Sequence, residues 1–229
     1  VGTKLICNDV KFEVTQIGKE CHSHCEIYKR VGDCIMPREG IFAKVLEGGM
    51  IKVGDKIKVI YPDKDMPYQA AVITLSDKGS RGERVDTSGP KASEILREHG
   101  FEIIEEILLP DEMAQIKKEL IRLSDSRQVD LIITTGGTGL SPRDCTPEAT
   151  LAVADRNVPG IAEAIRAGSM TITKRAMLSR GVSVIRKKTL IINLPGSKKA
   201  VEEGLSFIID QLPHGLDTLR GNTQDCGRN

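Results

Sequence analysis

Tryptophan is absent from this 229-residue sequence and aromatic residues make up only 3% of it, so any core has to be aliphatic. Net charge is nearly absent too: 33 Lys and Arg stand against 32 Asp and Glu, a formal charge of +1. Without a basic excess there is nothing to neutralise a phosphate backbone, which argues against a nucleic-acid partner. No apolar run reaches the roughly 20 residues of a membrane span, and no secretory signal opens the chain. A cytoplasmic protein with no membrane partner is the expectation. An initiator methionine is also missing, and Val1 reads as a start inside a longer protein or after processing.

Cysteine is present but clustered: of 6 cysteines, Cys7, Cys21, Cys25 and Cys34 fall in the opening stretch. With no signal peptide, reduced thiols fit better than a secreted disulfide framework. Cys21-His22-Ser23-His24-Cys25 invites a zinc reading, but its ligands lie in one unbroken run, whereas zinc motifs separate ligand pairs by wider loops. A reactive or ligand-binding thiol at Cys25 and inert buried cysteines stand beside it as readings. Around this cluster the texture is β. Val10–Thr15 alternates apolar and polar, and Ile41–Val45 and Lys56–Ile60 follow, separated by Gly48-Gly49 and Gly54-Asp55. A small β module over residues 1–65 is expected, ending in the polar, proline-bounded linker Tyr61–Pro67.

From residue 66 to 229 strands and helices alternate. Ala70–Leu75, Phe101–Leu109 and Val129–Thr135 read as buried strands, and Val182–Ile185 with Thr189–Leu194 as a hairpin around Arg186-Lys187-Lys188. Helices are expected over Pro90–Glu98, over a segment capped by Asp111 with Met113, Ile116, Leu120 and Leu123 on one face, from Pro147, over Gly160–Gly168, and as one long amphipathic helix over Ser197–Leu212. This pattern predicts an α/β fold: three layers, a mostly parallel sheet with helices on both faces. Ligands of such sheets bind at the carboxyl ends of the strands.

The polar loops gather at those ends. They are Ser76–Gly89, Pro110-Asp111-Glu112, Gly136–Asp144 and Asn193–Ser197. In Thr134–Thr150, TTGGTGLSPRDCTPEAT, Gly136, Gly137 and Gly139 bare the backbone just past a strand, and Thr146-Pro147-Glu148 reads as a helix start with Thr146 as N-cap. Arg143 and Asp144 stand between them. Strand, bare loop, charged pair and helix N-terminus together describe a phosphate or nucleotide site. Leu194-Pro195-Gly196-Ser197, running into a helix, is a second anion-binding candidate.

GGTG followed by PRDCTPEAT resembles the signature of the molybdopterin adenylyltransferase family. The resemblance spans about residues 70–220 through Ser76-Asp77 with Gly82, Asp86, Ser88 and Gly89, then Pro110-Asp111, Gly136–Thr150, Leu178-Ser179-Arg180 and Leu194–Ser197. It implies the molybdopterin-binding fold and transfer of AMP from ATP to molybdopterin, with Asp111 and Asp144 as the catalytic acids. It further implies that Ser76, Asp77, Gly136, Gly137, Thr138, Gly139, Arg143, Thr146, Glu148, Ser179, Pro195, Gly196 and Ser197 bind substrate. Mg²⁺ is expected on Asp144, with Asp111 beside it, and Arg143 is expected to hold phosphate through its fork. A homotrimer and a molybdenum-insertion enzyme downstream follow from the same resemblance. Asn8–Gln16, Lys19–Cys25 and Ile41–Ile57 resemble the C-terminal part of a MOSC domain. A non-catalytic molybdopterin carrier of the same fold is the alternative, and the acidic pair Asp111 and Asp144 argues against it.

Overall fold

A computed structural model of the protein describes residues 2–18, 26–31, 40–60 and 67–221. The chain divides into two compact units, Val1–Met66 and Pro67–Asn229. The Cys21–Cys25 cluster, Cys34 and the linker residues 61–66 lie outside the described residues, and with them the zinc and Cys25 expectations.

The first unit holds β1 (Lys4–Cys7), β2 (Val10–Ile17), the short helix α1 (Glu26–Val31), β3 (Ile41–Glu47) and β4 (Lys58–Ile60). The strands pair antiparallel in the order β3-β2-β1-β4. Asn8 turns the first hairpin in the left-handed region that asparagine tolerates. Cys7, Val10 and Val14 are buried, while Val45, Ile51, Val53 and Ile57 are exposed.

The second unit is built on a six-stranded sheet, and its elements follow the hydrophobic pattern closely. They run β5 (Gln69–Leu75), α2 (Asp77–Ser80), α3 (Ser88–Glu98), β6 (Glu102–Leu109), α4 (Met113–Ile121), β7 (Leu131–Thr135), α5 (Thr146–Leu151), β8 (Arg156–Asn157), α6 (Pro159–Met170), β9 (Ser183–Arg186), β10 (Thr189–Leu194), α7 (Lys198–Ser206) and α8 (Leu212–Arg220). Strand order is β6-β5-β7-β10-β9-β8. β6, β5, β7 and β10 are mutually parallel, and β9 and β8 extend the sheet antiparallel.

Alternation along the strands loads both faces, as a sheet covered on both sides requires. Ala70, Val72, Leu131, Ile133, Leu190 and Ile192 pack on one side against Ala92 and Leu96 of α3, Val201 and Leu205 of α7, and Leu212 and Leu216 of α8. Ala71, Ile73, Ile132 and Ile191 pack on the other against Ile116 and Leu120 of α4, Leu123, and Ala149 of α5. Each fully buried Leu or Ile is worth about 1.5–3 kcal/mol of transfer free energy, which is how a core without tryptophan holds three layers together.

Three expectations need correcting. The helix expected over Ser197–Leu212 stops at Ser206, and a 3-10 turn at Ile209–Gln211 leads into α8. Ile208, Ile209 and Leu212 reach the core across the break. The loop Ser76–Gly89 contains the helical turn α2. Asp111 does not cap α4: Glu112 holds the N-cap position, without a side-chain bond.

The chain runs from β5 outward to the edge strand β6 and then returns to β7 on the opposite side of β5. The crevice between the ends of β5 and β7 is therefore the point where strand order reverses, the place where such sheets take ligands. Thr74 of β5 and Leu194 of β10 both sit level with Thr135 of β7, which brings three strand-end loops to one sheet edge.

Candidate active site

A cleft of about 460 Å³ opens at that edge, within the size range of small-molecule sites. It is lined by Ser76, Asp111, Gly136, Gly137, Thr138, Gly139, Asp144, Pro195, Gly196 and Ser197, all expected from the sequence. Thr74, Leu75, Gly79 and the segment Arg84–Ser88 complete the wall.

The glycine loop is held backbone to backbone. Gly136 takes φ +102 and its N–H donates to Leu194 O at 3.1 Å; a Cβ there would overlap the carbonyl of Leu75. Gly196 lies against it, an added Cβ falling 3.0 Å from Gly136 Cα. Gly137 follows at φ +62, where a Cβ would overlap Thr146 Oγ1 and come within 2.8 Å of Asp111 Oδ1.

The loop's carbonyls are all taken on the side away from the cleft. Gly136 O accepts from Thr146 Oγ1 at 2.9 Å and Gly137 O from the Thr146 N–H at 3.2 Å. Thr138 O accepts from the Arg180 N–H at 2.9 Å and Gly139 O from Arg180 Nε at 2.7 Å. Every peptide here is trans, and in a trans peptide the N–H points opposite to the C=O. The N–H groups of Gly137, Thr138, Gly139 and Leu140 therefore turn the other way and donate to no group among the described residues. Successive free N–H groups in a glycine loop form an anion-binding nest.

Thr146 is thus not the helix cap the sequence suggests. It is the first residue of α5, after Cys145, and its hydroxyl shapes the glycine loop. Arg180 carries out the same task from the other end of the chain. Besides Gly139 O, its guanidinium donates to Asp144 O at 2.6 Å and pairs with Glu148. Glu148 is accordingly bound to Arg180, and Ser179, outside the lining, accepts from the Gly181 N–H at 3.3 Å.

The acids differ in environment. Asp144 Oδ2 accepts from the Ser141 N–H at 3.0 Å, which turns its carboxylate into the cleft beside Gly139. Asp111 and Asp77 brace each other: the Asp77 N–H donates to Asp111 Oδ2 at 3.0 Å and the Asp111 N–H to Asp77 Oδ1 at 3.1 Å. Asp111 Oδ1 is buried without a hydrogen-bond partner. Burial first, and then the neighbouring charges of Asp77 and Asp144, push the Asp111 carboxyl above its ordinary range against the bond from Asp77. The hydrogen bonds from Arg143 hold Asp77 below that range.

Arg143 departs from expectation. Its fork closes on Asp77, Nε to Oδ2 at 3.0 Å and Nη2 to Oδ1 at 2.9 Å, and Nη2 also reaches Glu112 Oε1 at 2.9 Å. Neither Arg143 nor Asp77 lines the cleft. In this structure Arg143 is engaged by Asp77 through both arms of its fork and by Glu112 through one bond, a charge-assisted arrangement. Sequence reasoning gave Arg180 no role, although its stretch recurs in the family string. Arg84 carries no local signal at all.

A mostly parallel sheet with a reversal point, free N–H groups on a glycine loop and two acids beside them make this an α/β domain with a candidate anion site. The family described as "probable molybdopterin binding domain" matches residues 71–214. Molybdopterin adenylyltransferase of Helicobacter pylori J99 is 40% identical over 153 residues, covering 66% of this chain and 87% of that protein. Its counterpart in Escherichia coli K12 is 44% identical over 142 residues, covering 61% and 72%. The crystal structure of the molybdopterin biosynthesis enzyme MoaB from Thermus thermophilus superposes with a TM-score of 0.65 at 47% identity, over 67% of this chain and 97% of that one. The chain belongs to the molybdopterin adenylyltransferase family.

Proposed function

We propose that the second unit serves molybdenum cofactor biosynthesis by transferring AMP from ATP to the terminal phosphate of molybdopterin, releasing pyrophosphate. The observation that carries the reading is the row of free N–H groups of Gly137, Thr138 and Gly139 in a cleft that Asp111 and Asp144 also line. A carrier needs only the nest. Two acids beside an anion site make sense where charge has to be managed during reaction.

Mg²⁺ fits the residues present. Asp111 Oδ1 is a buried carboxylate oxygen lacking a donor, and burial, with the charges of Asp77 and Asp144 beside it, raises the Asp111 carboxyl above its ordinary range. No group of three or more metal-ligating side chains occurs among the described residues, which agrees with a cation held by one or two carboxylates plus substrate phosphates. Asp111 and Asp144 would hold it, and once bound it supplies neutralisation of the phosphate charge.

The reaction is an in-line displacement. An oxygen of the pterin's terminal phosphate attacks the α-phosphorus of ATP, the bond to the β-phosphate oxygen breaks, and its electron pair leaves with pyrophosphate. No proton needs to be abstracted from an ionised phosphate, so catalysis rests on positioning and charge. The N–H groups of the loop hold phosphate oxygens, Asp144 is aimed by Ser141, and Asp111 by Asp77. Thr146 and Arg180 keep the loop carbonyls out of the cleft.

The reading extends to a cytoplasmic homotrimer that delivers its product to a molybdenum-insertion enzyme. Met170, Ile172, Met177 and Leu178 expose apolar surface at the end of α6 and the turn after it, an area suited to a second copy. No helix among the described residues is long and apolar enough to cross a membrane. For the first unit the antiparallel sheet supports the MOSC-like reading, and the family match lies wholly in the second unit. Incubating the protein with molybdopterin, ATP and Mg²⁺ tests the proposal: pyrophosphate and an adenylated pterin should appear together, and neither should appear with chelator. Tight pterin binding without pyrophosphate would establish the carrier instead.

A further inference from the structure

The cleft receives two polyanions yet its wall carries the carboxylates of Asp86, Asp111 and Asp144. Arg143, the cation expected to offset them, is closed on Asp77 and Glu112. Among the described residues Arg84 is the one cationic side chain in the lining. It is exposed and makes no ion pair or hydrogen bond with any described residue. Its neighbours on the loop are engaged: Arg81 pairs with Glu83 through Nε at 2.7 Å, and Asp86 Oδ1 accepts from the N–H groups of Ser88 and Gly89 at the start of α3.

The loop holding Arg84 is anchored at both ends and bare in the middle. Gly82, at φ +74 with open space around it, begins it after α2, and Asp86 pins its far end. Between them Val85 is 82% exposed although it too lines the cleft. A free guanidinium and an uncovered aliphatic side chain, adjacent on one rim, match a ligand with a phosphate beside a flat ring.

We propose that Arg84 is the phosphate-recognising cation of this cleft, whose lining does not include Arg143. This rests on the reading of the cleft as a phosphate site and goes beyond it by naming which side chain selects the anion. The guanidinium caps the phosphate from the rim while the N–H groups of Gly137, Thr138 and Gly139 hold it from the glycine loop. A charge-assisted bond at an exposed rim is worth about tenfold in affinity. Two phosphates could meet it, that of the nucleotide or that of the pterin.

The experiment compares wild type with Arg84→Gln and Arg84→Lys by calorimetric titration with AMP, adenosine and molybdopterin, alongside melting curves. In wild type AMP should bind more tightly than adenosine. In Arg84→Gln an AMP affinity about tenfold weaker, with adenosine unchanged, assigns Arg84 to the nucleotide phosphate. A like loss confined to molybdopterin assigns it to the pterin phosphate. Arg84→Lys should recover part of the loss and with it a steeper salt dependence. Unchanged affinity for both phosphorylated ligands in a folded Arg84→Gln protein overturns the proposal. Equal binding of AMP and adenosine by wild type, with no molybdopterin binding, overturns the phosphate reading of the cleft itself.

Discussion

Substituting Gly137 with alanine tests the central loop most directly, because two separate costs can be worked out for one methyl group. The backbone sits at φ +62, where a residue with a Cβ is disfavoured by about 1 kcal/mol. The methyl would also overlap Thr146 Oγ1 and approach Asp111 Oδ1 to 2.8 Å. Thr146 is fully buried and its hydroxyl bonds to Gly136 O, so displacing it breaks a buried hydrogen bond at about 1–3 kcal/mol. The sum is about 2–4 kcal/mol. A unit of this size loses about 2–4 °C of melting temperature per kcal/mol, so Gly137→Ala should melt about 5–15 °C lower. Gly160→Ala is the control: it lies in α6 with nothing within 4 Å of the new methyl, and should melt at or slightly above wild type. Differential scanning calorimetry reads both, and AMP titration on the folded Gly137→Ala protein should show weakened binding as the nest deforms. Identical melting of the two variants would refute the strained, crowded geometry assigned to Gly137.

Asp144→Asn keeps an oxygen for the Ser141 N–H, so it should fold and bind molybdopterin yet release pyrophosphate at least about a hundredfold more slowly; near-native turnover would remove Asp144 from the catalytic pair. Arg180→Met should weaken phosphate-ligand binding, and Arg180→Lys should recover little of it, because one ammonium cannot serve Gly139 O, Asp144 O and Glu148 together; full rescue by lysine would reduce Arg180 to a charge. A chain starting at Pro67 retains both core clusters and every cleft residue, and should keep most of the adenylation activity; a well-folded but inactive truncation would show that the first unit completes the site. Burial, followed by Asp217, pushes the Tyr68 phenol from 10.0 to about 12. Its stabilising contribution is therefore fully present below pH 10 and lost as pH rises to about 12, and phenolate absorbance should show one tyrosine titrating late.

What the sequence by itself determined was whatever is encoded within a few residues. The alternating strands and helices of the second unit, the hairpin around Lys187, and the glycines that end β7 are all local: side-chain period and backbone freedom act on neighbours. The same holds for which loops bear chemistry, since a parallel sheet sends every strand-end loop to one edge. Only the tertiary structure decided which charges meet. Arg143 lies 66 residues from Asp77, and Arg180 lies 41 from Gly139, and no spacing rule selects those partners from among 33 cations. Asp111 looked like a helix cap because an acid before a helix usually is one. Its burial, its empty Oδ1 and its brace to Asp77 exist only once β5 and β6 lie side by side. The end of the helix at Ser206 belongs with these: the apolar period runs on through Leu205, Ile208, Ile209 and Leu212, all of which reach the core, so nothing in that local period marks the break.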